Sequence, residues 1–114
     1  MSSSITVVRY EARPEAVAEN RRLVEAVLAE LAERREERVR YAVLLLDDGV
    51  TFLHLLRSEG DENPLPQLDA FRRFQAGQAD RAVTGTLTRS GATLVGAHRL
   101  FDRSVASPGP VTEE

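Results

Sequence analysis

The sequence contains no cysteine, no tryptophan and no lysine, so that all fifteen of its basic residues are arginine. The absence of cysteine excludes disulfides, thiolate nucleophiles and cysteine-ligated zinc or iron–sulfur sites. The absence of lysine excludes a Schiff-base lysine and the lysine of a phosphate-binding loop. Several classes of enzyme are therefore ruled out before any sequence pattern is considered.

Long apolar runs are also missing. No run approaches the roughly 20 residues that a helix needs to cross a bilayer, and residues 1–4 have neither the positive region nor the apolar core of a signal peptide. We therefore expect a cytoplasmic protein that does not bind membranes. Eighteen acidic residues against fifteen basic ones give a net charge of -3, which predicts no general attraction to nucleic acids.

The composition that remains is typical of one globular domain, with 114 residues, of which 42% are hydrophobic and 29% charged. We expect that domain to span residues 1–103. Residues 104–114 contain Pro108, Gly109 and Pro110 and little apolar surface, which predicts a disordered tail.

The first half of the chain reads as a strand followed by a helix. The segment from Ile5 to Tyr10 is short and rich in β-branched residues, which favours a strand. Pro14 suits the first turn of a helix. The apolar residues that then recur at helical spacing are Val17, Val24, Val27, Leu28 and Leu31. An amphipathic helix with one buried stripe is predicted.

Two β-rich runs then flank Asp48-Gly49, a dipeptide typical of two-residue hairpin loops. We therefore expect strands two and three to form a hairpin with this dipeptide as its loop. The facing pairs on one side are then Leu45 with Phe52, Val43 with His54, and Tyr41 with Leu56. The other side carries Ala42, Leu44, Leu46, Leu53 and Leu55.

In the second half, Pro64 and Pro66 precede a predicted helix over residues 68–83, which Gly77 weakens locally. The segment 92–101 reads as the last strand. The order strand, helix, strand, strand, helix, strand predicts an α+β fold of ferredoxin-like βαββαβ type. Its antiparallel four-stranded sheet would have strands one and three at its centre and both helices on one face.

Two helices on one face leave the other face of the sheet without a cover, although both sides of the hairpin are apolar. A second copy of the chain is the simplest way to bury that face, which predicts a homodimer. We expect the aliphatic side of the hairpin to lie under the helices, and the side with Tyr41, Phe52 and His54 to face the partner.

His54 and Asn20 are the candidate catalytic residues. His54 lies within an apolar strand and could act as a general base, a proton donor or a haem ligand, or it could be a structural histidine that is buried and hydrogen-bonded across the dimer interface. Asn20 interrupts the apolar stripe of the first helix. It could therefore project an amide into a cleft, or could cap a loop or meet a backbone carbonyl.

The candidate ligand-binding residues are Tyr41, Phe71, Phe74, Gln75 and Gln78. The last four share one face of the second predicted helix, as aromatic walls with polar fixing points would. An aromatic stripe at helical spacing is also what a core requires. His98 is far from His54 in the sequence and no metal-binding pattern links them, so we expect no metal site and no bound cofactor.

Four segments carry a resemblance to a known family. They are ENRRLVEAVLAEL, VRYAVLLLDDGVTFLHLL, NPLPQLDAFRRFQAGQADR and ATLVGAHR. They resemble actinobacterial proteins of the antibiotic-biosynthesis-monooxygenase-like superfamily, and the resemblance spans roughly residues 5–101. It implies a dimeric α/β barrel in which two sheets pack face to face, with a cleft in each subunit between sheet and helices. Monooxygenases of this superfamily often have a tryptophan and an asparagine in the cleft. The resemblance offers Asn20 as the asparagine, and this chain has no tryptophan.

The superfamily includes cofactor-independent monooxygenases of aromatic polyketides, haem-degrading enzymes and members without known activity, so the fold leaves several functions open. The first hypothesis is a homodimer that binds an apolar or aromatic small molecule, with cofactor-independent monooxygenase activity. The second is a non-catalytic dimeric module of stress response or regulation, whose cleft is filled by its own side chains. The third is haem binding through His54.

Overall fold

The computed structural model describes residues 3–59 and 63–100 of the chain. Its strands are β1 (Ser3–Glu11), β2 (Val39–Leu45), β3 (Thr51–Glu59) and β4 (Thr88–Ala92), and its α-helices are α1 (Val17–Arg34), α2 (Asp69–Ala76) and α3 (Gln78–Arg81). Short 3-10 turns at Pro14–Ala16 and Leu65–Gln67 precede α1 and α2. The predicted tail over residues 104–114 and the domain boundary at residue 103 lie outside the described residues.

The four strands form one antiparallel sheet in the order β2-β3-β1-β4. The predicted ferredoxin-like α+β fold is therefore confirmed, with β1 and β3 in the centre. One hydrophobic core joins α1 and α2 to one face of this sheet, and it includes Val24, Val27, Phe52 and Phe74. In the described part of the chain, no helix is long and apolar enough to cross a membrane.

The hairpin has the predicted register but a longer loop. Leu45 pairs with Phe52, as expected, yet the strands end at residue 45 and resume at residue 51. The amide of Gly49 donates to the carbonyl of Leu46 at 2.9 Å, which closes a turn one step earlier than predicted. The Asp48 carboxylate accepts hydrogen bonds from the backbone amides of Val50 and Thr51 at 3.0 and 2.9 Å. These bonds satisfy the loop's own donors and so stabilise the wider turn.

The assignment of the two hairpin sides was wrong. The side with Tyr41, Phe52 and His54 lies under the helices, where Phe52 and His54 are buried and Tyr41 packs against the core. The aliphatic side, including Leu53 and Leu55, is half-buried on the opposite face. Aliphatic side chains have no hydrogen bonds to satisfy and can occupy either face. The polar atoms of histidine and tyrosine need partners when buried, and those partners lie on the helix side.

The last strand and the second helix also differ from expectation. β4 is Thr88–Ala92, whereas residues 93–100 are exposed and contain no strand. The amide of Val83 already donates to the carbonyl of Glu11 at 2.8 Å. The chain therefore begins to pair with β1 earlier than predicted. Ala92 is already opposite Ile5, close to the beginning of β1, so little of β1 remains for later residues to pair with. The predicted single helix is interrupted at Gly77, which separates α2 from α3.

Gly49 provides a test of the hairpin loop, since its φ of +80° lies in the region that side chains rarely adopt. We expect Gly49→Ala to lower the free energy of unfolding by about 1 kcal/mol. An added methyl group would meet no atom within 4 Å, so the cost is conformational rather than steric. Urea unfolding of this variant should be compared with that of Gly96→Ala, which adds a methyl group in open space without a positive φ. Equal losses in the two variants would contradict the assigned turn.

Candidate functional site

His54 lies at the centre of a buried group of aromatic residues on the helix side of the sheet. Its side chain is on β3 and is only 6% exposed. Nε2 lies 2.9 Å from the hydroxyl of Tyr10 on β1, and Nδ1 lies 2.7 Å from the hydroxyl of Tyr41 on β2. Because β3 lies between β1 and β2, diagonal neighbours on the same face can reach the histidine from both sides. Both ring nitrogens are therefore engaged.

Asn20 continues this group of hydrogen bonds into α1. It shares the buried face of that helix with Val24 and Val27 and is fully buried. Its Nδ2 donates to the Tyr10 hydroxyl at 2.9 Å. The predicted projection of Asn20 from the apolar stripe is thus what brings it close to His54, with Tyr10 between them.

Arg81 lies at the end of this group of hydrogen bonds that is farthest from His54. It lies at the end of α3, is 6% exposed, and donates from Nε to Oδ1 of Asn20 at 2.9 Å. Its Nη2 donates to the carbonyl of Phe74 at 2.5 Å, and its guanidinium carbon lies 5.1 Å from the centre of the Phe74 ring. A carbonyl of the last turn of α2 and an aromatic face thus meet the buried charge. The five residues Arg81, Asn20, Tyr10, His54 and Tyr41 are called the buried network below.

Tyr10 and Arg81 were not predicted as site residues. Tyr10 could have been found from the sequence, because it is a tyrosine on a strand that is predicted to lie at the centre of the sheet. No pattern in the sequence identifies Arg81, because its contact with Asn20 depends on the interruption of the helix at Gly77. A methyl group at Gly77 would lie 2.8 Å from Nη1 of Arg81, so the glycine leaves room for the guanidinium.

Burial favours the neutral forms of His54, Tyr10 and Tyr41. It lowers the pKa of His54 from 6.5 to about 4. Burial raises the pKa of Tyr10 to about 12, although the Asn20 hydrogen bond and the Arg81 charge act in the opposite direction. Burial also raises the pKa of Tyr41 well above its usual value, and the nearby Tyr10 adds to that rise. Both ring nitrogens of His54 already have tyrosine partners, and a lowered pKa makes the imidazole a weaker base, so this arrangement favours hydrogen bonding over general-base catalysis.

Aromatic rings surround the network. The Phe74 ring lies 5.6 Å from that of His54, and the Phe71 ring lies 6.2 Å from that of Phe74. Phe74 is buried and Phe71 is half-buried. Gln75 is exposed and Gln78 is half-buried, and neither takes part in the hydrogen bonds of the network. Of the predicted ligand-binding residues, the structure thus brings Tyr41, Phe71 and Phe74 near His54, and leaves Gln75 and Gln78 outside.

Four of the five network residues, Asn20, Tyr10, His54 and Arg81, are buried, and Tyr41 is half-buried. One hollow on the described surface lies beside Ile5 and Arg57, and another lies beside Glu36 and Arg40. Neither includes a network residue. A haem iron at His54 would have to displace one of two tyrosine hydroxyls, which disfavours the haem hypothesis. Residues 3–59 and 63–100 hold no group of three or more His, Cys, Asp or Glu side chains that could bind a metal.

Comparison with known proteins identifies the fold. Neither a protein-family model nor a curated protein matches the chain. Among solved structures, Rv0793 from Mycobacterium tuberculosis is similar, with a TM-score of 0.65 and 19% identity over 84% of this chain and 98% of that protein. A structure of an antibiotic biosynthesis monooxygenase has a TM-score of 0.60 and 13% identity, over 82% and 99% of the two chains.

A dimeric ferredoxin-like protein of unknown function from a Jannaschia species has a TM-score of 0.57 and 11% identity, over 82% of this chain and 100% of that one. The fold is therefore that of antibiotic-biosynthesis-monooxygenase-like proteins, as the resemblance in the sequence implied. At these identities the likeness concerns the fold alone.

The low pKa of His54 makes the stability of the protein depend on pH. The unfolded chain takes up a proton on this histidine near pH 6.5, and the folded chain only near pH 4. The free energy of unfolding is therefore highest above pH 6.5. It should fall by about 3 kcal/mol as the pH decreases to 4, because the unfolded chain binds the proton more tightly than the folded chain. Urea unfolding of wild type and His54→Gln between pH 7 and 4 measures it, and the variant should lose less stability.

His98→Gln is the matched control, because His98 is exposed. This variant should keep the pH dependence of the wild type. A flat profile in wild type, or equal slopes in wild type and His54→Gln, would contradict the buried neutral histidine.

Proposed function

We propose that this protein is a cytoplasmic homodimer that binds a flat apolar or aromatic small molecule beside Tyr41 and oxygenates it without a bound cofactor. The observation that carries the proposal is the buried network itself, which places five polar side chains in the layer between sheet and helices. A core needs no such set for stability, since replacing buried polar groups by apolar ones of the same shape can be neutral. Tyr41 is the half-buried end of the network and is where a ligand would contact it.

The chemistry follows from what the chain contains. Neutral phenols and a neutral imidazole can orient a ligand and hydrogen-bond to its oxygen atoms, but they cannot supply electrons to dioxygen. The substrate must therefore be the reductant, as a compound with a reactive methylene group between aromatic rings can be. Such a methylene group loses two hydrogens, one oxygen atom becomes the new carbonyl, and the other leaves as water. The fold shared with a protein named as an antibiotic biosynthesis monooxygenase supports this choice.

The homodimer rests on the outer face of the sheet, which none of the described helices covers. Its apolar residues are half-buried in a single chain and are Ile5, Val7, Ala42, Leu44, Leu53 and Leu55. Nε of Arg57 lies on the same face and is buried without a hydrogen-bond partner among the described residues. A second copy would cover the apolar surface and could provide an acceptor for this group. The dimeric ferredoxin-like relative supports this arrangement.

Leu55→Glu tests the dimer. The variant places a charge in the middle of the outer face, and we expect it to convert a dimer into a monomer, because a buried unpaired charge is costly. Sedimentation velocity of both proteins gives the mass in solution. Ala29→Glu adds the same charge on the exposed side of α1 and should remain dimeric. A wild-type monomer would refute this part of the proposal.

Anthrone tests the activity, because its central methylene group is easily oxidised and the reaction consumes one dioxygen to give anthraquinone and water. We expect oxygen uptake well above the spontaneous rate with wild type, and about a tenfold lower protein-dependent rate with Tyr41→Phe, since loss of one positioned hydrogen bond costs about 1.4 kcal/mol in the transition state. Arg73→Ala, an exposed change on α2, should keep the wild-type rate.

The second candidate is the non-catalytic module, and one observation favours it. The rings of Phe74, Tyr10 and Tyr41 all lie within 6 Å of the His54 ring, which is only 6% exposed. Oxygen uptake at the spontaneous rate, together with no binding of anthrone by calorimetry, would support this candidate over the enzyme.

A further inference from the structure

The hydrogen bonds of the buried network have a direction that starts at Arg81. A guanidinium has donors and no acceptor. Its Nε lies 2.9 Å from the side chain of Asn20, so the oxygen of that amide must face it. The amide nitrogen then faces Tyr10 and donates to its hydroxyl oxygen at 2.9 Å. Arg81 therefore determines which way the Asn20 amide is turned.

The direction continues through Tyr10. Its oxygen accepts from Asn20, so its own hydrogen needs an acceptor, and Tyr10 is 1% exposed and out of reach of bulk water. Nε2 of His54, at 2.9 Å, is the acceptor that the described residues offer. If Nε2 carried a hydrogen instead, the Tyr10 oxygen would face two donors and its own hydrogen would be left without a partner. A buried unsatisfied donor is costly, so Tyr10 donates to Nε2.

The bond from Tyr10 also determines which hydrogen bond His54 makes with Tyr41. A neutral imidazole carries one hydrogen, and with Nε2 as acceptor that hydrogen is on Nδ1. Nδ1 donates to the Tyr41 oxygen at 2.7 Å. This series of bonds leaves the hydrogen of the Tyr41 hydroxyl unused, and Tyr41 is the half-buried residue of the network.

We infer that His54 carries its proton on Nδ1, and that the Tyr41 hydroxyl is the donor that binds a carbonyl or phenolate oxygen of an aromatic ligand. Tyr41 is on this view a specificity-determining residue, and Arg81, Asn20 and Tyr10 are positioning residues that act through His54. The assignment of the proton is independent of the proposed function, whereas the ligand class rests on it. The low pKa of His54 agrees with a neutral ring at pH 7.

Long-range proton–nitrogen NMR spectra of 15N-labelled protein test the tautomer directly. At pH 7 we expect His54 to show a protonated Nδ1 and an unprotonated Nε2. His54→Gln assigns the signals. Tyr41→Phe should leave the tautomer unchanged, because Tyr10 still donates to Nε2. A protonated Nε2 in wild type would overturn the direction of the network.

Fluorenone and fluorene test the ligand class, since they share a ring system and differ in one carbonyl oxygen. Calorimetry should show fluorenone binding to wild type about fivefold more tightly than fluorene, the value of one neutral hydrogen bond. Tyr41→Phe should remove that preference and leave fluorene binding unchanged. Equal binding of both compounds to wild type would overturn the role of Tyr41 and leave the proposed function standing. Binding of neither would overturn both, and the NMR result would still decide the tautomer.

Discussion

The hydrogen bond from the Asn20 amide to the Tyr10 hydroxyl connects the first helix to the centre of the sheet. Both groups are buried, so each requires the other. The bond from Arg81 to the same amide adds the short helix after Gly77, and the bonds of His54 add the two neighbouring strands. The positions of both helical segments over the sheet are thus coupled by one series of polar contacts, in a layer that is otherwise apolar.

This series explains which face of the sheet the helices cover. Aliphatic residues on the other face lose little by remaining half-buried until another surface covers them. Buried phenol and imidazole groups must find hydrogen-bond partners. Among the described residues, the amide of Asn20 reaches the Tyr10 hydroxyl, and Arg81 donates to that amide. Polar satisfaction, rather than greater hydrophobicity, therefore selected the face. The same choice leaves the aliphatic side of the hairpin outward, which is the physical basis for proposing a second copy of the chain on it.

Burial also determines what the site can do. It holds His54 and both tyrosines in their neutral forms at pH 7, which favours orientation of a ligand over proton abstraction. The positive charge of Arg81 is met by the Phe74 carbonyl and ring rather than by a carboxylate. Because a guanidinium can only donate, Arg81 determines which group donates and which accepts in each bond of the network. The hydroxyl hydrogen of Tyr41 is then left without an acceptor in the network. A change at Arg81 would thus reach a ligand at Tyr41 only through the intervening side chains.

The sequence by itself determined the order of the elements, the central positions of β1 and β3 and the register of the hairpin. Each of these depends on periodicity or on neighbours in the chain. The tertiary structure alone decided which sheet face is covered, how Arg81 turns inward after Gly77, and where the last strand ends. These features depend on partners far apart in the sequence, such as Asn20 and Arg81, whose hydrogen-bonding needs are satisfied only when the fold brings them together. Local sequence patterns cannot predict contacts between residues that are so far apart in the chain.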